Sequence, residues 1–202
     1  MIFLAPLFGY LLGSIPFGLV ITRLAGLGDI REIGSGNIGA TNVLRTGRKD
    51  LALATLLLDS GKGGIAVLLM GLISGWQPLP MALAGAAAFL GHCFPVWLKF
   101  KGGKGVATFL GTLLALNSWS GLAACAIWLV TAFLTRISSL SALVAAGLTP
   151  LIMYFVIEVP VAALAAAFMA VLICYRHRDN IARIRAGTEP KIGTKKNTNT
   201  EN

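Results

Sequence analysis

Five long stretches of this chain contain no Asp, Glu, Lys or Arg. They cover residues 1–22, 63–98, 105–135, 137–157 and 159–175. A helix needs about 20 mainly apolar residues to cross a hydrocarbon core of about 30 Å. Two of the stretches are too long for one crossing, and each has a polar notch, at Gln77-Pro78-Leu79-Pro80 and at Asn117-Ser118. Only 12% of the 202 residues are charged, and the mean hydropathy is +0.79. A soluble domain carries roughly 25% charged residues, so this chain cannot cover a water-facing surface. The sequence reads as an all-α integral membrane protein. Its 24 glycines suit close helix packing in lipid.

The notches divide the chain into about seven transmembrane helices, near 2–22, 51–74, 79–98, 103–117, 119–135, 138–157 and 160–175. The first lacks a basic start and is too long in its apolar part for a simple cleaved leader. The fourth is the shortest. Its 12 apolar residues from 105 to 116 make a helix of about 18 Å. Alternate loops then hold Arg23, Arg31, Arg45, Arg48 and Lys49; Lys99, Lys101 and Lys104; Arg136; and every basic residue from Arg176 onward. That is 16 of the 17 basic residues, while the opposite side carries only Glu158. Basic loops stay in the cytoplasm, so the N-terminus is expected outside and the C-terminus inside. One long helix over 105–135 would strand Arg136 on the outer side. The net charge of +9 is thus expected to meet anionic lipid of the bilayer, with no nucleic acid as partner. Residues 1–190 form a single membrane domain, and 191–202 are a polar tail expected to be disordered. Cys93, Cys125 and Cys174 are far apart in apolar runs and read as small hydrophobes.

Three segments of unusual composition meet on the basic side. One is Gly34-Ser35-Gly36-Asn37-Ile38-Gly39-Ala40-Thr41-Asn42, followed by Arg45. Another is Lys101-Gly102-Gly103-Lys104-Gly105. The last is Tyr175-Arg176-His177-Arg178-Asp179-Asn180, followed by Thr188-Glu189. The first contains GxGxxG, but it follows a membrane span rather than a strand, so it is no dinucleotide fingerprint. Lys104 lacks the spacing of a nucleoside-triphosphate loop. What remains is anion chemistry. Glycines let backbone N–H groups turn inward, and a helix start adds partial positive charge. Lys104 and Arg45 supply cations, and Ser35, Asn37, Thr41 and Asn42 supply neutral donors.

His177 and Asn180 share a face if the last span continues as a helix. Asp59 and Lys62 stand at i, i+3 inside an apolar span and read as a structural ion pair. His92 reads as a satisfied interior histidine. Ser138, Ser139 and Ser141 read as a helix cap, with Ser139 also weighed as a phosphate donor. There is no Ser-His-Asp set, His92 is followed five residues on by Trp97 rather than an aspartate, and metal-ligand spacing is missing. No metal and no cofactor is expected.

These segments together resemble the PlsY family, the bacterial membrane glycerol-3-phosphate acyltransferases that use acyl phosphate. Asp29 through Arg45 resembles the family's first motif. Gly91-His92-Cys93-Phe94-Pro95 with Phe100 through Thr108 resembles its second. Arg176 through Ile181 with Gly187-Thr188-Glu189 resembles its third. The resemblance implies seven transmembrane helices in the bacterial cytoplasmic membrane, with the site facing the cytoplasm. It implies transfer of an acyl group from acyl phosphate to sn-glycerol 3-phosphate. It assigns binding or catalysis to Ser35, Arg45, Lys104, His177 and Asn180, and acyl phosphate binding to Gly102, Gly103 and Gly105. Gly36, Asn37, Gly39, Ala40 and Thr41 join the binding loop, and Glu189 supports local structure. A membrane transporter for a phosphorylated solute is the alternative from another class.

Overall fold

The structure is a computed structural model that describes residues 3–193. Among these residues there are ten helices of four or more residues and no strand: α1 (Leu4–Gly13), α2 (Phe17–Leu24), α3 (Ala40–Val43), α4 (Lys49–Ser74), α5 (Pro78–Cys93), α6 (Val106–Leu116), α7 (Ser118–Thr135), α8 (Ser138–Phe155), α9 (Pro160–Arg176) and α10 (Arg178–Arg185). Most of the tail expected to be disordered lies outside the described residues.

All seven apolar segments are helical, but they differ in reach. Residues Leu4–Leu24, α4, Pro78–Leu98, α7 and α8 are each long and apolar enough to cross a membrane, and α9 with α10 qualifies only as a pair bent by 62°. Among the described residues five spans, or six with the bent pair, meet this length, and α6 is a seventh, shorter apolar helix. With 11 residues, α6 is about 16 Å long, roughly half the hydrocarbon thickness. The break between α6 and α7 falls at Asn117, whose Oδ1 accepts the Ser120 N–H at 2.9 Å. The long helix over 105–135 therefore does not form, and α7 folds back onto α6.

Packing runs α1 on α5, α4 on α5 and α6, α7 on α8, and α8 on α9, with α9 closing against α5. Small residues set these distances. A Cβ on Gly13 would fall 1.9 Å from the Ala88 carbonyl oxygen, so α1 approaches α5 backbone to backbone. A core of Phe89, Phe109, Leu113, Met153, Met169 and Ile173 ties α5, α6, α8 and α9 together. Leu57, Leu72, Phe133, Leu134 and Leu164 point outward, as lipid-facing side chains do.

The first span is broken, which the hydropathy did not foretell. Pro16 has no N–H to continue the helix, and α1 ends at Gly13. The freed carbonyls must find donors in the absence of water. Trp97 Nε1 donates to Ser14 O at 2.7 Å, and Lys62 Nζ donates to Ile15 O at 2.8 Å. Lys62 Nζ also lies 2.8 Å from Asp59 Oδ1, with both side chains buried. This is the expected ion pair, made as a charge contact rather than an aligned hydrogen bond. His92 is buried beside it, but the expectation of a satisfied ring fails. Its Nδ1 sits 3.6 Å from Asp59 Oδ1 and has no hydrogen-bond partner.

Candidate active site

The site is built on the link between α5 and α6. After Cys93 the chain passes through a 3-10 turn over Val96–Leu98. It reverses at Lys99 and Phe100, both in the left-handed region at φ 51° and 62°. The returning segment lies against the end of α5. Gly102 N–H donates to Cys93 O at 3.1 Å, and Gly103 N–H donates to His92 O at 3.0 Å. These two amides were expected to face an anion, and they do not. A helix end leaves its last carbonyls without partners, and here the glycine amides supply them. The glycines are needed for the close approach. A Cβ on Gly103 would fall 2.1 Å from His92 Nε2, and Gly105, at φ +83°, would press a Cβ to 2.1 Å from the Phe89 ring. Gly105 then precedes α6, whose opening turn has no side-chain cap.

Lys104 stands between these anchors, and its Nζ donates to Asn180 Oδ1. Asn180 is oriented from its other end: Nδ2 donates to Glu189 Oε1 at 2.5 Å. Because an ammonium only donates and a carboxylate only accepts, the amide has one consistent orientation. Glu189 is a hub. Oε1 also accepts the Ser139 hydroxyl at 2.6 Å, and Oε2 accepts Arg183 Nε at 2.6 Å. Burial pushes the Glu189 carboxyl up, but hydrogen bonds from Ser139, Asn180 and Arg183 outweigh it and hold the group below the usual carboxylate range. Ser139 therefore joins α8 to the segment after α10 and does not cap α8, as the serine run had suggested.

Burial pushes the Lys104 ammonium down to about 8. The Glu189 carboxylate opposes this, and the charges of Arg183, Arg176 and Arg45 add to it. Arg45 belongs to the first glycine-rich segment, so that segment lies close enough for its charge to reach Lys104. The first segment is organised by Asn42, which is buried. Its Nδ2 donates to Ile30 O and Ile33 O at 3.0 and 2.9 Å. Its Oδ1 accepts Ser35 N–H at 3.0 Å, the Ser35 hydroxyl at 3.2 Å and Arg45 Nη1 at 3.4 Å. Asn42 is a scaffold, then, rather than a free phosphate donor. Gly36 N–H is likewise engaged, with Ile33 O at 3.1 Å. Gly39 precedes the short helix α3, which starts at Ala40; Thr41 and Ser35 are exposed, and Asn37 is half-buried.

His177 does not sit on a continuous helix with Asn180. The chain bends between α9 and α10 at this residue. Its Nδ1 lies 2.8 Å from Ile173 O. A carbonyl only accepts, so Nδ1 carries the proton. Burial pushes the imidazole down to about 4, with the charges of Lys104 and Arg176 in the same direction. The ring is neutral near pH 7, and Nε2 is left as an acceptor. Both His177 and Asn180 are nonetheless buried at the same site.

Two contributors were read in the sequence only as cytoplasmic charge. Arg183 binds Glu189, and Arg176 Nη2 and Nε donate to Gly102 O and Gly103 O at 2.6 and 3.0 Å. Arg176 had one available signal, its place in the motif with His177 and Asn180, while Arg183 lies between the two pieces of that motif. Together the site offers Lys104, Arg45 and the start of α6 to negative charge, beside a neutral imidazole acceptor.

Known proteins resemble this chain in sequence and in fold. A family model described as glycerol-3-phosphate acyltransferase matches residues 3–187. The protein named glycerol-3-phosphate acyltransferase in Caulobacter vibrioides (strain NA1000 / CB15N) is 65% identical over 189 residues, covering 93% of this chain and 86% of its own. That of Paramagnetospirillum magneticum is 63% identical over 198 residues, covering 98% and 96%. The crystal structure of PlsY (YgiH), an integral membrane glycerol 3-phosphate acyltransferase, matches in its glycerol 3-phosphate form with a TM-score of 0.89, at 38% identity and over 96% of both chains. Its lysophosphatidic acid form matches with a TM-score of 0.87 at 37% identity.

Proposed function

The chain belongs to the glycerol-3-phosphate acyltransferase family of PlsY, and from this premise we propose that it transfers a fatty acyl group from acyl phosphate to the 1-hydroxyl of sn-glycerol 3-phosphate. The products are 1-acyl-glycerol 3-phosphate and inorganic phosphate. The observation that carries the reading is Lys104 held between Asn180 and the opening of α6, with the Arg45 charge within reach of it. Both substrates bear phosphate, and this is a place that attracts it. The related crystal structures in glycerol 3-phosphate and lysophosphatidic acid forms add the acceptor and the product class.

In the reaction the substrate hydroxyl oxygen bonds to the acyl carbonyl carbon. The bond from that carbon to the phosphate oxygen breaks, and phosphate leaves with the electron pair. An acyl phosphate already has a good leaving group, so catalysis comes from proximity and from stabilising negative charge. Lys104 and the first turn of α6 hold the acyl phosphate. Arg45, Asn180 and His177 hold glycerol 3-phosphate, and Ser35 lies toward the carbonyl. Gly102 and Gly103 contribute by shaping the loop, since their amides are engaged. The hydroxyl proton passes to a phosphate oxygen. A phosphate monoester titrates near pH 6, so its dianion is a better base than an imidazole held near 4.

We place the site on the cytoplasmic side of the bacterial inner membrane, with the N-terminus outside. The distribution of basic residues supports this. Residues 1–190 act as one unit. A transporter reading has weaker support. The charged cluster at depth, Asp59 with Lys62, is engaged with Ile15. A cavity of about 360 Å³ at the opposite end is lined by Trp76, Met81 and Leu116, with Glu158 as its only charge.

The test is to mix purified protein with palmitoyl phosphate and glycerol 3-phosphate and to follow phosphate and lysophosphatidic acid, with palmitoyl-CoA as a parallel donor. Product from the phosphate donor alone is the expected result, and turnover with the thioester instead would overturn the donor assignment.

A pH profile tests the base. Above about pH 8 the free enzyme's Lys104 loses its proton and, with it, the charge that attracts phosphate. kcat/KM should therefore fall on the alkaline side. The acid limb should follow the substrate phosphate near 6. His177→Gln should leave both limbs in place and lower kcat by less than about tenfold, short of the roughly 10²–10⁴ supplied by a general base. A loss in that larger range, at unchanged binding, would make His177 the base.

A further inference from the structure

Every backbone polar group of Gly102 and Gly103 is taken, and from two directions. Their amides donate to Cys93 O and His92 O at the end of α5. Their carbonyls accept from a single side chain, Arg176, with Nη2 to Gly102 O at 2.6 Å and Nε to Gly103 O at 3.0 Å. The Arg176 guanidinium also lies over the Phe94 ring, 5.4 Å from its centre. Phe94 is fixed in turn, because its carbonyl accepts the Tyr10 hydroxyl at 2.8 Å. Arg176 is the last residue of α9, directly before the bend at His177. One planar fork therefore joins α9 and its bend to the loop that carries Lys104.

The physics favours a fixed loop. A guanidinium presents its donors in a rigid plane, and Nε and Nη2 reach two neighbouring carbonyls without further ordering. Lys104 follows Gly103 directly, and its stem is long and flexible. Only a fixed backbone can deliver the ammonium to Asn180 repeatedly. No carboxylate partners Arg176 among the ion pairs of the described residues, and its charge adds to the field at Lys104 and His177.

We propose that Arg176 is a positioning residue for acyl transfer. Its guanidinium clamps the Gly102 and Gly103 carbonyls and so sets Lys104 against Asn180 and the opening of α6. This rests on the assignment of Lys104 to the phosphate site. Arg176 itself is spent on the loop and need not touch substrate.

The test compares wild type, Arg176→Lys and Arg176→Gln, purified in detergent. Two measurements are made: acyl-phosphate-dependent kcat and KM, and the pH dependence of Lys104 acylation by an amine reagent, read by peptide mass spectrometry. The second needs no enzymatic activity. We expect kcat to fall at least tenfold in Arg176→Gln, with a smaller loss in Arg176→Lys, which keeps the charge but not the fork. Loss of a neighbouring cation favours protonated Lys104, so its labelling midpoint should move to higher pH in Arg176→Gln. A role confined to holding helices together would lower protein yield without moving the midpoint in the folded fraction of Arg176→Lys, which keeps the charge. If a folded variant keeps kcat within twofold of wild type and an unchanged midpoint, the proposal fails. If Arg176→Gln does not fold, Arg176→Lys is judged by kcat alone: a tenfold loss supports the clamp, and wild-type kcat refutes it. An inactive wild-type protein with a normal Lys104 midpoint would overturn the acyl transfer reading instead. A midpoint shift in Arg176→Lys, which keeps the charge but not the fork, would still support the clamp on the loop.

Discussion

Lys104→Ala should lower kcat by about 10²–10³-fold, the range for removing one preorganised donor from developing negative charge, while the protein inserts and folds normally. Folding should survive because the loop does not depend on the Lys104 side chain. Gly102 and Gly103 are held by Cys93, His92 and Arg176, and Asn180 keeps its bond to Glu189. The ammonium is also half-buried, which pushes it down to about 8, so its removal releases a group that is costly to bury. The loss should therefore appear in the reaction rather than in stability. Lys104→Arg is the informative companion. It retains charge, but its fork does not fit the space of a point ammonium beside Asn180, and it should recover only a part of the activity. Lys104→Ala with more than a tenth of wild-type kcat would remove Lys104 from the catalytic set.

Lys62→Met should destabilise the protein by about 3–5 kcal/mol, the usual consequence of removing one partner from a buried ion pair. Here two groups each lose a partner at once. Asp59 would remain charged and buried, and Ile15 O would keep only the Phe17 N–H, at 3.1 Å, at the break in the first span. Replacing both charges, as Asp59→Leu with Lys62→Met, should restore most of the lost stability, because apolar replacement of a whole buried pair is often neutral. The residual deficit would measure the bond to Ile15 O. Chemical or thermal unfolding in detergent gives both values. Lys62→Met within about 1 kcal/mol of wild type would mean that the pair is not structural.

The helices and most of their ends could be read from the chain. Gln77-Pro78, Asn117 and Pro160 each mark a start or a break, because proline and a capping side chain act on their own neighbours. The break at Pro16 was readable by the same chemistry but was hidden in a charge-free run. The bend at His177 has no proline or glycine to announce it. A histidine that bonds back to Ile173 O at the end of one helix is a product of its surroundings. At the site, the residue types were legible and the partnerships were not. Lys104, Asn180 and Glu189 stand out as polar groups near a membrane face, but their linkage crosses 76 and 9 positions of sequence. The glycine amides were assigned to an anion because glycine permits that geometry. Their bonds to the end of α5 follow from where α5 happens to stop.

By itself the sequence determined that this chain folds into apolar helices of a membrane protein. That follows from local chemistry, the cost of placing charge and unbonded backbone in hydrocarbon. It also determined which residues carry cations and donors. Only the tertiary structure decided which of these are free to meet a substrate. A hydrogen bond is exclusive and short-ranged: an amide given to His92 O, or a hydroxyl given to Glu189, is no longer available to phosphate.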